Sequence, residues 1–119
     1  MLCTMAVSMV SCFASIDSME KKCKKLKEEG VIVDYEVSKE DDLKAMKAVA
    51  AIEAMDKDGK FFNAIEFKEK ADAKEYYEKM DKSLQEMKDA GVDVSEYTLK
   101  LDGKIVIACT SKDLYKKIA

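Results

Sequence analysis

Residues 49–67 read VAAIEAMDKDGKFFNAIEF. The Asp58-Gly59 dipeptide lies between two apolar runs, and such a dipeptide favours the tight turn of a β-hairpin. The alanines at residues 45–54 favour instead a helix that continues to Met55. We expect the hairpin, with a first strand that ends near Met55, because the residues after Gly59 alternate in the manner of a strand.

The chain before this hairpin predicts an amphipathic helix. Met19, Cys23 and Leu26 recur at helical spacing across residues 18–29, in a background of lysine and glutamate. Gly30 follows directly, and glycine is the usual residue just after a helix end. We therefore expect a thin helix that ends before Gly30.

A strand and a second helix are expected next. Residues 31–37 alternate apolar and polar side chains, which is the period of a half-buried strand. Ser38 and Asp41 have the spacing of a capping box. The second helix is therefore expected to begin near Lys39.

The chain after the first hairpin predicts a helix, a hairpin and a helix. An apolar stripe at helical spacing covers residues 71–90, and Asp102-Gly103 follows as the turn of the second hairpin. Thr110 and Asp113 have the spacing of a cap for a short final helix.

These elements follow the order βαββαββα from Val31 onward. Residues 27–31 (KEEGV) resemble residues 88–92 (KDAGV), and each stretch ends a predicted helix before a strand. The order predicts an α+β domain, with an antiparallel sheet and helices on one face. This is a ferredoxin-like arrangement with additions.

The composition of the 119 residues excludes several kinds of function. All 21 basic residues are lysine, and histidine is absent. Without histidine the Ser-His and Cys-His nucleophile pairs and the commonest zinc ligand are missing. Without arginine, and with a net charge of −3, the chain lacks the usual features of a nucleic-acid binder. We expect no enzymatic activity, no cofactor or metal, and no nucleic-acid partner.

The first sixteen residues carry no charge. As a helix they are shorter than the ~30 Å hydrocarbon core of a bilayer, so a transmembrane helix is not expected. An apolar stretch at residues 2–10 runs into Met9-Val10-Ser11-Cys12. This sequence resembles the lipobox of small bacterial lipoproteins of unassigned function, in which the cysteine is diacylated and becomes the N-terminus.

The resemblance implies that Cys12 is the lipid attachment site and that residues 1–11 are a signal segment. Residues 12–17 would then be a tether, and residues 18–119 a single α+β domain. The positive charge that normally begins a signal peptide is missing, which predicts a start codon upstream of Met1. The protein is expected on the outer side of the bacterial cytoplasmic membrane, anchored by lipid. The alternative is a cytoplasmic protein in which residues 1–16 form a structural helix.

Two acidic stretches are interpreted as structural. In residues 56–59 (DKDG), an EF-hand alignment would put Ala54 and Ile65 at ligand positions, so an ordinary turn is expected. Glu40, Asp41 and Asp42 fall in the first turn of a predicted helix, where negative charge favours the helix dipole.

The cysteines allow three interpretations. Cys23 and Cys109 would form a disulfide outside the cytoplasm, or they are core residues. The lysines around Cys23 would lower the pKa of its thiol if it were exposed. We favour core positions for both residues.

One sheet face is the candidate interaction surface. It is expected to carry Ile32, Phe62, Ala64, Val106 and Ala108, opposite a helix-covered face. Such a face is too apolar for solvent alone. We expect the N-terminal helix, a second copy or a ligand to cover it, in that order.

The sequence thus predicts a non-enzymatic lipoprotein whose domain serves protein interaction or assembly, with itself or with an unknown protein. The alternative function is that of an intracellular ferredoxin-like module that dimerises or senses a small molecule.

Overall fold

The computed structural model describes residues 15–39 and 43–119. The described chain contains three α-helices, five strands and one 3₁₀ turn. In chain order these are α1 (Ile16–Glu28), β1 (Ile32–Lys39), the 3₁₀ turn (Lys44–Met46), β2 (Ala48–Asp56), β3 (Phe61–Phe67), α2 (Lys70–Asp89), β4 (Thr98–Asp102), β5 (Ile105–Cys109) and α3 (Lys112–Ile118).

The strands form one antiparallel sheet in the order β1-β2-β3-β5-β4. The predicted α+β class, compatible with a ferredoxin-like arrangement, is confirmed. Both predicted hairpins are present, and residues 48–56 form a strand rather than a helix. Asp56 closes the first hairpin, because its carboxylate accepts the backbone N–H groups of Asp58 and Lys60, both at 2.9 Å. The interpretation of this stretch as an ordinary turn is therefore confirmed.

Helices cover both faces of the sheet, which corrects the prediction of helices on one face. On one face α1 and α3 pack over a core of Ile32, Ile52, Ala54, Phe62, Ala64, Ile105, Ile107 and Cys109. On the other face α2 packs over Ala48, Ala51, Ile65, Phe67 and Val106. The main contacts of α2 are with β3, β4 and β5. The sheet is thus the middle of three layers.

Helix α1 begins at Ile16, two residues before the predicted start. The Ser15 side chain accepts the backbone N–H of Ser18 at 3.1 Å and caps the helix, while Ser15 itself is extended. Ile16 is only 3% exposed and belongs to the core. The folded domain therefore includes residues 15–17, which the sequence assigned to a tether.

Both long helices end in the same way. Gly30 has a φ of 80° and Gly91 a φ of 91°, values that L side chains rarely adopt. The backbone N–H of Val31 donates a hydrogen bond to the Leu26 carbonyl at 2.9 Å. Residues 88–92 repeat this arrangement, which is the Schellman motif. The similarity between residues 27–31 and 88–92 reflects these two helix ends.

Two predicted helix starts differ from the structure. Ser38 and Lys39 lie in β1, opposite Ala51 and Ala50, so a helix does not begin at Lys39 itself. Among the described elements, the 3₁₀ turn at Lys44–Met46 lies between β1 and β2. Glu40, Asp41 and Asp42 lie outside the described residues. Helix α3 is capped by Ser111 rather than by Thr110.

We expect Ile16→Ala to lower the free energy of unfolding by about 2–4 kcal/mol, because Ile16, the first residue of α1, is buried in the core. Val92→Ala is the matched control. Val92 is 43% exposed, so its truncation should change stability by less than about 0.5 kcal/mol. Urea unfolding followed by circular dichroism measures both. Equal, small effects would show that residues 15–17 are a tether after all.

Candidate functional site

The five residues of the predicted interaction surface do not share a face. Ile32, Phe62 and Ala64 are buried against α1 and α3. Val106 is buried on the opposite face beneath α2, and Ala108 lines a groove on that same side. The N-terminal helix, the first of the three expected occupants, covers the first three residues.

The error has a physical cause in β5. Ile105 and Ile107 face α1 and α3, while Val106 faces α2, and all three are buried. A strand covered on both faces is apolar throughout, so its sequence does not reveal which residue points to which side. The pairing of β1 with β2 is also irregular between Ile32 and Asp34, which shifts the alternation there.

An apolar groove lies between the C-terminal half of α2 and the adjoining ends of β4 and β5. Its volume is about 240 Å³. A 20-residue helix is about 30 Å long, whereas a five-residue strand spans about 17 Å, so the apolar stripe of α2 extends past the strands beneath it. The apolar side chains that line the groove are Phe61, Met80, Leu84, Met87, Tyr97, Leu99 and Ala108.

A second apolar region adjoins the groove on the exposed part of β1, β2 and β3. Val33, Met55 and Phe61 are 51%, 47% and 44% exposed, and they line one shallow depression of about 540 Å³. Phe61 lines both the depression and the groove. The two regions are therefore continuous, and we call them together the apolar surface.

Carboxylates border the apolar surface. Asp34, Glu36 and Glu53 line the same depression. Glu36 and Glu53 lie directly opposite each other on β1 and β2, and like charges in this arrangement oppose pairing. The Asn63 side chain donates a hydrogen bond to Glu53 at 3.2 Å.

Asp34 is ionised at neutral pH. Its pKa is lowered first by the backbone N–H of Tyr35, which its carboxylate accepts at 2.9 Å, and then by Lys27 at 3.2 Å. Glu53 also acts on α2, because its charge adds to burial in raising the pKa of Tyr76. The border of the apolar surface is therefore acidic.

The two described cysteines are free thiols in the core. Cys23 is fully buried and Cys109 is 2% exposed. Burial and then the charge of Glu20 raise the pKa of Cys23 to about 11. Burial also raises the pKa of Cys109. A lowered thiol pKa among the α1 lysines is thus wrong, and the core interpretation is confirmed.

The described residues contain no group of three or more cysteine, aspartate or glutamate side chains that could hold a metal ion. Within the same part of the chain, no helix is long and apolar enough to cross a membrane. Cys12 lies outside the described residues, so its proposed acylation is a matter of sequence alone.

Sequence reasoning missed the apolar surface, although part of its signal was present. Met80, Leu84 and Met87 continue the α2 stripe and are only half-buried. The exposed positions of Met55 and Phe61 depend on how far α2 reaches across the sheet, which the sequence does not specify.

Comparison of the chain with protein-family models, with curated proteins and with solved structures gives no match.

The buried Cys23 thiol predicts a loss of stability at high pH. Its pKa is about 11 in the fold, whereas the ordinary value for a cysteine thiol is 9.0, so between these pH values the unfolded chain loses a proton that the fold retains. The contribution of this thiol to the free energy of unfolding is fully present below pH 9. It falls by about 2 kcal/mol as the pH rises to 11. Urea unfolding at a series of pH values, under reducing conditions, measures this. Between pH 9 and 11 the free energy of unfolding should fall more steeply for wild type than for Cys23→Ala. Parallel curves would contradict the prediction.

Proposed function

We propose that the protein is a non-enzymatic interaction domain, held by a lipid on Cys12 at the outer side of a bacterial cytoplasmic membrane. It binds another protein through the apolar surface. The observation that carries the binding role is the continuity of that surface, from Val33 and Met55 through Phe61 into the groove beside α2. Exposed apolar surface of this extent is typical of interaction sites.

The acidic border favours a partner other than a second copy. Self-association would bring Asp34, Glu36 and Glu53 of two copies together, and like charges disfavour such a contact. A protein that presents apolar side chains flanked by lysine or arginine fits both the apolar surface and its border. The methionines in the groove suit such a contact, because their flexible side chains adapt to a partner.

A binding role, rather than catalysis, is supported by the chemistry of the side chains. The chain has no histidine, and both described thiols are buried with raised pKa values. No serine, threonine, cysteine or lysine is among the described residues that line the depression.

The lipid anchor is supported by the position of the helix start. Ser15, the N-cap of α1, comes three residues after Cys12, so residues 13 and 14 alone join the proposed anchor to this cap.

We expect the protein expressed from its native locus, with upstream sequence included, to begin at Cys12 and to carry the mass of its acyl groups. Intact mass spectrometry of the membrane fraction measures this. Cys12→Ser should remain unacylated, so its mass should lack the acyl groups. An unmodified chain that retains Met1 would replace the lipoprotein proposal with the intracellular module.

The binding role is tested by a photo-reactive residue in place of Phe61, with the same residue in place of Met46 as the control. Met46 is 40% exposed but does not line the apolar surface. We expect a discrete crosslinked protein from position 61 and none from position 46. Met55→Lys should abolish the adduct, because it places a charge in the apolar contact, whereas Met46→Lys should leave it unchanged.

The mass of the adduct identifies the occupant. An adduct of two chain masses would show a second copy on the apolar surface and overturn the proposal of a different protein. The binding role would be overturned if no adduct formed from position 61. It would also be overturned if the adduct persisted in the Met55→Lys variant.

A further inference from the structure

Charge is distributed unequally between the helix layers. Helix α1 carries five lysines against Asp17, Glu20 and Glu28, and α3 carries three lysines against Asp113. Together they hold four net positive charges in a chain whose total is −3, so the remaining residues hold seven net negative charges. The α1 and α3 layer is the basic side of an acidic protein.

The two helices present their lysines side by side. They share one core with each other through Ile16, Met19, Leu114 and Ile118. The Lys22 ammonium donates a hydrogen bond to the backbone carbonyl of Ala119 at 3.1 Å, which joins α1 to the end of α3. The lysines of both helices therefore belong to one surface.

Five of these eight lysines have neither an ion pair nor a side-chain hydrogen bond with any part of the described chain. Lys27 is paired with Asp34, and Lys117 with Asp113. The exposed, unpaired residues are Lys21, Lys24, Lys25, Lys112 and Lys116, which we call the basic face. Unpaired ammonium groups are available to an external anion.

The start of α1 lies close to the proposed anchor. From Cys12 to Ser15 the chain spans at most about 11 Å when fully extended. A lipid on Cys12 would therefore hold α1 near the headgroups of the bilayer. The apolar surface lies on the other side of the sheet, where α2 packs.

We propose that the basic face lies on a membrane surface rich in anionic phospholipid headgroups, and that this contact directs the apolar surface away from the membrane, toward its partner. The inference rests on the proposed function, because the anchor at Cys12 brings the basic face to the lipid. Lysine suits this contact, since its attraction to headgroups needs no fixed geometry. Such attraction falls off within about 10 Å at ordinary salt.

The experiment uses the purified full chain without acylation, so that vesicle binding is measured independently of the lipid. Vesicles of phosphatidylglycerol and phosphatidylcholine are compared with vesicles of phosphatidylcholine alone. The first variant replaces the five lysines of the basic face with glutamine. The control variant replaces the five lysines of α2, which are Lys70, Lys74, Lys79, Lys82 and Lys88.

The two variants have the same composition and the same net charge of −8, because each loses five positive charges from a chain of −3. They differ only in which helix layer is neutralised. All ten lysines are exposed, so both variants are expected to fold, and urea unfolding checks this. Residues 1–14 are common to all three proteins, so insertion by that segment does not distinguish them.

We expect wild type and the α2 variant to partition onto the anionic vesicles, and the basic-face variant to partition at least about tenfold less. Binding of the wild type should weaken as salt rises. Equal losses in the two variants would overturn the inference, because net charge alone would then explain binding. Equal binding to neutral vesicles would overturn it as well.

The outcome is distinguishable from a failure of the proposed function. Acylation of Cys12 is measured by mass and partner binding by crosslinking, and neither measurement depends on the basic face. An acylated protein whose basic face shows no preference for anionic vesicles would refute this inference alone.

Discussion

The central strands β3 and β5 must be covered on both faces, and the rest of the structure depends on this requirement. Phe62 and Ala64 are fully buried on one side of β3, while Ile65 and Phe67 are buried on the other. Apolar side chains on both faces of a strand need a layer of structure on each side. Helices α1 and α3 supply one layer, and α2 supplies the other.

The two helix layers cover different amounts of the sheet, and the part that α2 leaves uncovered forms the candidate site. Helix α1 packs against β1, β2 and β3, and α3 against β3 and β5, so their face is covered broadly. Of the helices that the structure describes, only α2 covers the opposite face, and its main contacts are with β3, β4 and β5. One helix is about 10 Å wide, whereas five strands span about 20 Å, so part of this face stays exposed. Met55 and Phe61 lie on that exposed part.

Local signals in the sequence were sufficient for most elements. Asp58-Gly59 and Asp102-Gly103 identified both hairpins, because a turn with positive φ requires such residues wherever the strands lead. Gly30 and Gly91 marked both helix ends for the same reason. Ser38 shows the limit of local signals, since it has the spacing of a capping box but lies in β1, where it pairs with Ala51 across the sheet. The apolar surface depends on such long-range packing and was not predictable from spacing alone.

The Glu36 and Glu53 pair links the energetics of the sheet to its surface. Two carboxylates opposite each other on adjacent strands oppose strand pairing, and Asn63 offsets this for Glu53 alone through one hydrogen bond. In water the residual cost is small, because solvent screens exposed charges. A partner that covers Val33, Met55 and Phe61 would remove much of that water, so the same two charges would then interact more strongly with it. The border of the apolar surface would therefore favour a basic partner over an acidic one, at little cost to the free domain.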